Sequence, residues 1–249
     1  MINKLLEISS ICKSYTKNKE TTRVLDNVSF DVYKGEFLSI VGTSGCGKTT
    51  LLNIISLLDK DYKGYIKYNF DKRNIAYMLQ DAALFPWLNI YENSRIITKI
   101  KKIDNDKYIN DLINRFGLED FKLKFPRNLS GGMKQRVSLI RTIASNPALL
   151  LLDEPFAQLD YQTRLKISKD IYDLAKANGI TVIMITHDIS EAISLSDRVI
   201  VLSKRPSKIK KVYDIDIKNI QNPIERRNTS EFSKYYKSIS EDLDIFNEE

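Results

Sequence analysis

Residues 42–50, GTSGCGKTT, constrain the fold of this chain more than any other stretch. They read Gly42, Thr43, Ser44, Gly45, Cys46, Gly47, Lys48, Thr49 and Thr50, and fit the pattern G-x-x-x-x-G-K-[ST]. A stretch that reads as a buried strand, Glu36 to Val41, precedes them, and apolar residues at helical spacing follow from Lys48 to Leu58. Strand, glycine loop and helix together make a phosphate-binding loop rather than an idle turn. Glycines let backbone N–H groups turn inward around phosphate oxygens, and a helix start adds a favourable dipole. Lys48 would reach the β- and γ-phosphates, and the Thr49 hydroxyl would face Mg²⁺.

The rest of the chain supplies an α/β frame for that loop. Residues 4–9 and 22–33 alternate as strands of an antiparallel sheet, with a turn across Lys13 to Glu20. Tyr15 lies on that turn. It is either a surface aromatic or a ring that stacks on a base. Short strands are expected at 65–68 and 74–79, the second ending at Gln80. An apolar loop, Leu84 to Asn89, follows, and Asn89 or Asn93 can open a helix. Helical periods dominate 92–144, including a helix from Asp106 closed by Gly117 and another after Ser130. This block reads as a helical insertion. Four leucines, Leu149 to Leu152, then form a strand covered on both faces. A helix from Tyr161 to Ala177, a strand from Ile180 to Ile185, a short helix and a strand from Arg198 to Leu202 complete a mainly parallel sheet. The tail carries Phe232, Tyr236, Ile239, Leu243 and Phe246 on one helical stripe, with Asn228 and Glu231 spaced as a capping box. That helix either packs on its own domain or takes a partner.

Composition narrows the class. With 249 residues the chain can build one large domain or a core with subdomains. No stretch approaches the ~20 apolar residues of a membrane span, and the start lacks a signal-peptide run, which suggests a cytoplasmic chain. Two cysteines and one histidine, far apart, support neither a disulfide framework nor a zinc site. The net charge of +7 has its densest run at 204–211. That run reads as a solvated strand or turn face, and no nucleic-acid motif accompanies it.

Chemistry gathers at the strand ends, where open α/β sheets bind ligands. Asp153 ends the leucine strand and can hold Mg²⁺ through water. Glu154 follows, turned away from it, and can polarise an attacking water. Two adjacent acids beside an apolar strand are costly unless a cation faces them. His187 ends the next buried strand and can bond a γ-phosphate or the water. The Gln80 amide can contact Mg²⁺ or water. Ser130, Gly131 and Gly132 open a helix and form a second anion site. One chain thus carries two phosphate devices and one magnesium carboxylate, which local chemistry leaves unexplained.

Together these residues resemble the ATP-binding cassette (ABC) family over about residues 3–205. The LSGGMKQR run at 129–136 lies after the phosphate loop and before LLLLDEP, as in that family. The resemblance implies a P-loop NTPase fold with an antiparallel β subdomain and a helical subdomain at about 88–145, followed by a C-terminal extension at 206–249. It implies that ATP is bound by Tyr15, residues 42–50 and Gln80. Thr49, Gln80 and Asp153 would serve Mg²⁺, and Glu154 and His187 would be catalytic. Asp160 would be a dimer contact, and Ser130, Gly131, Gly132 and Gln135 would meet the ATP of a second copy, which explains the two anion sites. Thr49 departs from the commoner Ser, and Ala157 with Gln158 from the commoner small pair. LFPWLN and VLSKRPSKI resemble importers of nitrate, sulfonates and taurine. The implied partners are two membrane permease subunits and, indirectly, an extracytoplasmic solute-binding protein, with the chain at the cytoplasmic face of the membrane. A cassette for another solute, an exporter subunit, or a soluble cassette without a membrane partner are the alternatives.

Overall fold

The computed structural model describes residues 3–217, 220 and 222–244. Strands β1 (Lys4–Lys17) and β2 (Glu20–Tyr33) form a long antiparallel hairpin. The first strand runs further than its alternation suggests, because the turn is only two residues long. Asn18 and Lys19 take φ of 52° and 68°. Two left-handed residues make the mirror-image turn whose twist suits paired strands, so pairing continues to Lys17 opposite Glu20. Tyr15 therefore lies on a strand, not in a loop.

Gly35, at φ 76°, turns the chain into β3 (Phe37–Val41). The glycine loop leads into helix α1 (Lys48–Ile55), and β4 (Lys63–Tyr68) returns to the free edge of β1. Next come β5 (Ile75–Met78) and three helices, α2 (Ile90–Ile100), α3 (Asp106–Arg115) and α4 (Gly131–Ile143). The chain re-enters the sheet as β6 (Leu149–Asp153), followed by α5 (Tyr161–Asn178), β7 (Thr181–Ile185), α6 (Ile189–Leu195), β8 (Arg198–Leu202) and β9 (Ile209–Asp214). The sheet order is β5-β6-β7-β3-β8-β9, parallel except for β9.

Burial on both faces explains the unbroken apolar runs of the central strands. Leu149 and Leu151 face a core shared with the antiparallel sheet and α1. Leu150 and Leu152 face a core shared with the helices. Val182 and Met184 join the helical side, Ile183 and Ile185 the other. The second layer therefore holds the glycine loop from below, through Leu51, Leu52, Ile54 and Ile55 of α1.

The tail is the third packing unit. Helices α7 (Pro223–Arg226) and α8 (Ser230–Asp242) follow β9. The cap of α8 is Thr229 rather than Asn228: its Oγ1 accepts from the Phe232 N–H at 3.1 Å, one residue later than the capping-box spacing suggests. Phe232, Ile239 and Leu243 are buried against Val41, Ile189, Ile193, Val199 and Val201, while Tyr236 stays exposed. Phe246 lies outside the described residues. The basic run at 204–211 reaches edge strand β9, where Lys210 and Lys211 are exposed and face Asp244 and Asp242 at 3.5 and 3.7 Å. Charged side chains there discourage edge-to-edge pairing.

The candidate nucleotide site

The C-terminal ends of β3, β6 and β7 meet at one sheet edge and open into a cleft of about 500 Å³. Ser44, Gly45, Gly47, Lys48, Thr49, Thr50, Gln80, Asp153, Glu154 and His187 line it, with Tyr15 and Arg205 at its rim. Sequence position spreads these residues over most of the chain. Parallel sheet topology brings them together.

The loop itself is shaped by two left-handed glycines, Gly45 at φ 71° and Gly47 at φ 118°. Gly47 caps α1 without any side-chain bond, and the first turn of α1 holds no acid. Its N–H groups therefore present an uncompensated positive end to the cleft. Lys48 is buried, and its Nζ donates to the Gly42 and Thr43 carbonyls at 2.7 and 3.1 Å, bracing the loop around its own charge. Cys46 is also buried, with its N–H donating to the Thr43 carbonyl at 3.2 Å, so its side chain packs under the loop.

Asp153 is buried at the end of β6, and burial, then the neighbouring Glu154, pushes its carboxyl above the ordinary range. Tyr77 Oη lies 3.4 Å from its Oδ2, and the Thr49 hydroxyl and Tyr77 draw the carboxyl part of the way back down. Its Oδ1 has no partner among the described residues. A buried carboxylate oxygen left open beside a threonine hydroxyl fits a hard divalent cation, so Mg²⁺ suits these residues. Glu154 lines the cleft beside it. It takes φ 50°, and its Oε2 lies 2.6 Å from His187 Nδ1. With Glu154 ionised, Nδ1 carries the proton and Nε2 keeps a free lone pair for a ligand.

The expected site residues do not all converge. Ser130 caps α4 through the Met133 N–H at 3.2 Å, and it lies with Gly131 and Gly132 outside the cleft. Asp160 caps α5 through the Thr163 N–H at 3.0 Å. Gln135 departs from expectation. It is buried, its Nε2 donates to the Glu154 carbonyl at 3.0 Å, and its Oε1 accepts from the Gln158 N–H at 2.9 Å. Both ends of its amide are spent within the chain, so it fixes the Glu154 backbone rather than facing a nucleotide.

Three groups at the site carry no motif. Lys13 is buried beneath Tyr15, 4.8 Å from the ring centre, and pairs with Asp59 at 2.9 Å. Asp59 in turn accepts from Tyr15 Oη at 3.2 Å, so one ring face and the hydroxyl are both held. The third is Glu191, buried behind the His187 loop. Its Oε2 accepts from Thr186 Oγ1 at 2.7 Å, and Thr186 Oγ1 accepts from the Asp188 N–H at 3.0 Å. Burial raises its pKa to about 7. A carboxyl raised in the folded state is most favourable when protonated, so its contribution declines as pH rises from the ordinary carboxylate range to about 7. Glu191→Gln keeps an oxygen for Thr186 without the charge. It should stabilise the fold by about 3 kcal/mol at pH 8 and by nothing below pH 4, read by denaturant unfolding at both values. Equal differences at the two pH values would refute the assignment.

The profile of the ABC transporter family matches residues 25–157. The chain belongs to that family. It is an ATP-binding, ATP-hydrolysing cassette. Among its relatives, an uncharacterized ABC transporter ATP-binding protein of Bacillus subtilis is 38% identical, over 96% of this chain and 95% of that one. An aliphatic sulfonates import ATP-binding protein of Bacillus cereus is 36% identical, over 94% of each. A taurine import ATP-binding protein of Roseobacter denitrificans is 40% identical, over 79% of this chain and 76% of that one. A bacterial ABC transporter cassette solved as a dimer matches with a TM-score of 0.78 at 30% identity, covering 85% of this chain and 99% of that one. The same cassette, dimeric in a post-hydrolysis state bound to ADP and phosphate, matches with a TM-score of 0.76 at 29% identity. Among the described residues of this chain, no helix is long and apolar enough to cross a membrane.

Proposed function

We propose that this cassette is the ATPase subunit of an importer for a small anion of the sulfonate, taurine or nitrate kind. It works at the cytoplasmic face of the membrane as a homodimer under two permease subunits, fed by an extracytoplasmic solute-binding protein. The observation that carries this is the near full-length match to a relative named for sulfonate import.

In this reading ATP lies in the cleft, with its base on Tyr15 and its phosphates in residues 42–50. Lys48 and the N–H groups of α1 hold the phosphate charge, and Gln80 lines the same cleft. Thr49, Asp153 and Gln80 would hold Mg²⁺, which neutralises phosphate charge when bound. Glu154 takes a proton from the attacking water. The water oxygen bonds to the γ-phosphorus, the bond to the β–γ bridging oxygen breaks, and ADP and phosphate remain. His187, oriented by Glu154, accepts a hydrogen bond from the attacking water through the Nε2 lone pair. Ser130, Gly131 and Gly132 of one copy close over the ATP of the other, and Asp160 meets its counterpart's surface.

Coupling to the permease follows from how the loop after Gln80 is held. Arg141 of α4 donates to the Ala82 and Ala83 carbonyls at 2.7 and 2.9 Å. Buried Asn93 of α2 accepts from the Phe85 N–H at 2.9 Å and donates to the Leu88 carbonyl at 2.8 Å. The loop that starts at the nucleotide is thus pinned to the helical block, yet it leaves Trp87 69% exposed against Phe85. Leu58 and Leu79 line an exposed groove as well. These apolar groups are the surface that receives a permease helix. Trp87→Ala should cut solute uptake in cells at least fivefold while the basal ATPase rate of the isolated chain changes less than twofold. Equal losses in both would remove the docking role.

Purification of the Glu154→Gln chain from native membranes with ATP tests the whole assembly. A permease together with a solute-binding protein is expected, and the ligand on that protein names the solute. A permease alone would favour export, and no membrane protein would favour a soluble cassette.

A further inference from the structure

The segment after β8 is built as a strap across the glycine loop. Ser207 is fully buried, and its hydroxyl donates to the Cys46 carbonyl inside the loop. Its backbone bridges β2: the Ser207 N–H donates to the Val24 carbonyl and the Asp26 N–H to the Ser207 carbonyl, both at 2.9 Å. Ser203 and Lys208 close the base of the strap through a backbone bond of 2.9 Å and a side-chain bond of 3.0 Å. The strap is therefore fixed on three sides.

Arg205 projects from the crest of this strap. β8 neighbours β3 in the sheet, so the strap flanks the loop on the side away from β7 and His187. The side chain is exposed and lines the same cleft as Tyr15, Val24 and Lys48. A Cβ placed on Gly45 would lie 2.9 Å from Arg205 Nη2, so the guanidinium rests against the loop at Gly45. No described residue pairs with it. Asp26, whose N–H bonds the strap, is already engaged by Arg23 at 2.5 Å and Lys208 at 3.2 Å. An arginine carried on a fixed strap beside an anion cradle, with no carboxylate of its own, is arranged for a ligand's negative charge.

We propose that Arg205 is a direct ligand of the bound nucleotide's phosphate chain, reaching it from outside the glycine loop. The proposal rests on the reading of residues 42–50 as the phosphate cradle. Its guanidinium adds charge-assisted bonds from the base side, while Lys48 and α1 act from beneath. The contact belongs to ADP as well as ATP, because it needs neither the γ-phosphate nor a second copy of the chain.

Titration calorimetry with ADP tests it, in the full chain at low salt and at moderate salt. Arg205→Ala should weaken ADP binding about tenfold, the loss of one charge-assisted bond. Arg205→Glu should weaken it further, and both should flatten the salt dependence of the affinity. Thermal unfolding should stay within 2 °C of the parent, since the side chain is exposed and unpaired. ADP affinity within twofold of the parent in both variants would overturn the proposal. So would unchanged ADP affinity with weakened ATP-driven dimerisation, which would assign Arg205 to the contact between copies. Lys48→Ala separates the two readings. If it binds ADP as the parent does, the cradle itself is misplaced. If it fails to bind while the Arg205 variants bind normally, only Arg205 is wrong.

Discussion

Glu154→Gln should lower the ATPase rate by a factor of about 10²–10⁴, the range general-base catalysis contributes, while ATP still binds. Two features make this a clean catalytic test. The glutamine amide matches the carboxylate in size, so the packing beneath the cleft is kept. The backbone at residue 154 is held independently of the side chain, by its N–H to the Ile185 carbonyl at 3.0 Å and by Gln135 on its carbonyl. The side chain therefore changes chemistry without releasing the strand end. His187 loses the anion that fixes its Nδ1 proton, which adds to the loss. Single-turnover phosphate release and ATP affinity, measured on the same sample, check both halves. A rate within threefold of the parent would remove Glu154 from the mechanism.

Gly47→Ala should weaken nucleotide binding at least about 100-fold, a comparably large effect from a single methyl group. Gly47 sits at φ 118°, beyond the left-handed well that L residues tolerate. Its new Cβ would meet Val24 Cγ1 at 2.7 Å and Leu25 Cδ2 at 3.0 Å. Both neighbours are buried in the layer beneath α1, so neither can swing into solvent. Strain and overpacking of this kind together cost about 2–4 kcal/mol, relieved only by moving the loop that cradles the phosphates. Gly35→Ala is the internal control. Its φ of 76° is also left-handed, but nothing lies within 4 Å of its Cβ, so it should cost about 1 kcal/mol and leave the nucleotide untouched. Calorimetry with ADP and thermal unfolding of both variants decide the matter; ADP affinity within threefold for Gly47→Ala would show the loop to be softer than drawn.

What could be read in advance follows a physical divide. The leucines of β6 and the glycine loop are local patterns whose period and spacing admit few structures, so the parallel sheet and the cleft residues were legible. Gln135 was not, because a buried glutamine serving two backbone groups has the same letter as one facing a ligand. Lys13 and Asp59 are 46 residues apart and meet only through the pairing of β1 with β4 and the turn before it. Arg205 depends on the strap, which is defined by one buried serine. The two-residue turn at Asn18 and Lys19 lacks the glycine that usually marks such a turn. Long-range contact, not composition, decides Gln135, the Lys13–Asp59 pair and Arg205.

The tail also sets an order of events in folding. Val41, the last residue of β3 and the immediate neighbour of the glycine loop, is covered on one side by Phe232, Ile239 and Leu243. Those residues are synthesised after the whole sheet. A nascent chain that has already formed its central strands therefore carries an uncovered apolar face beside its unfinished active loop. That intermediate is the species most exposed to chaperone capture and aggregation. A chain cut after β9 would keep that face uncovered, so helices α7 and α8 act as the closing piece of the fold.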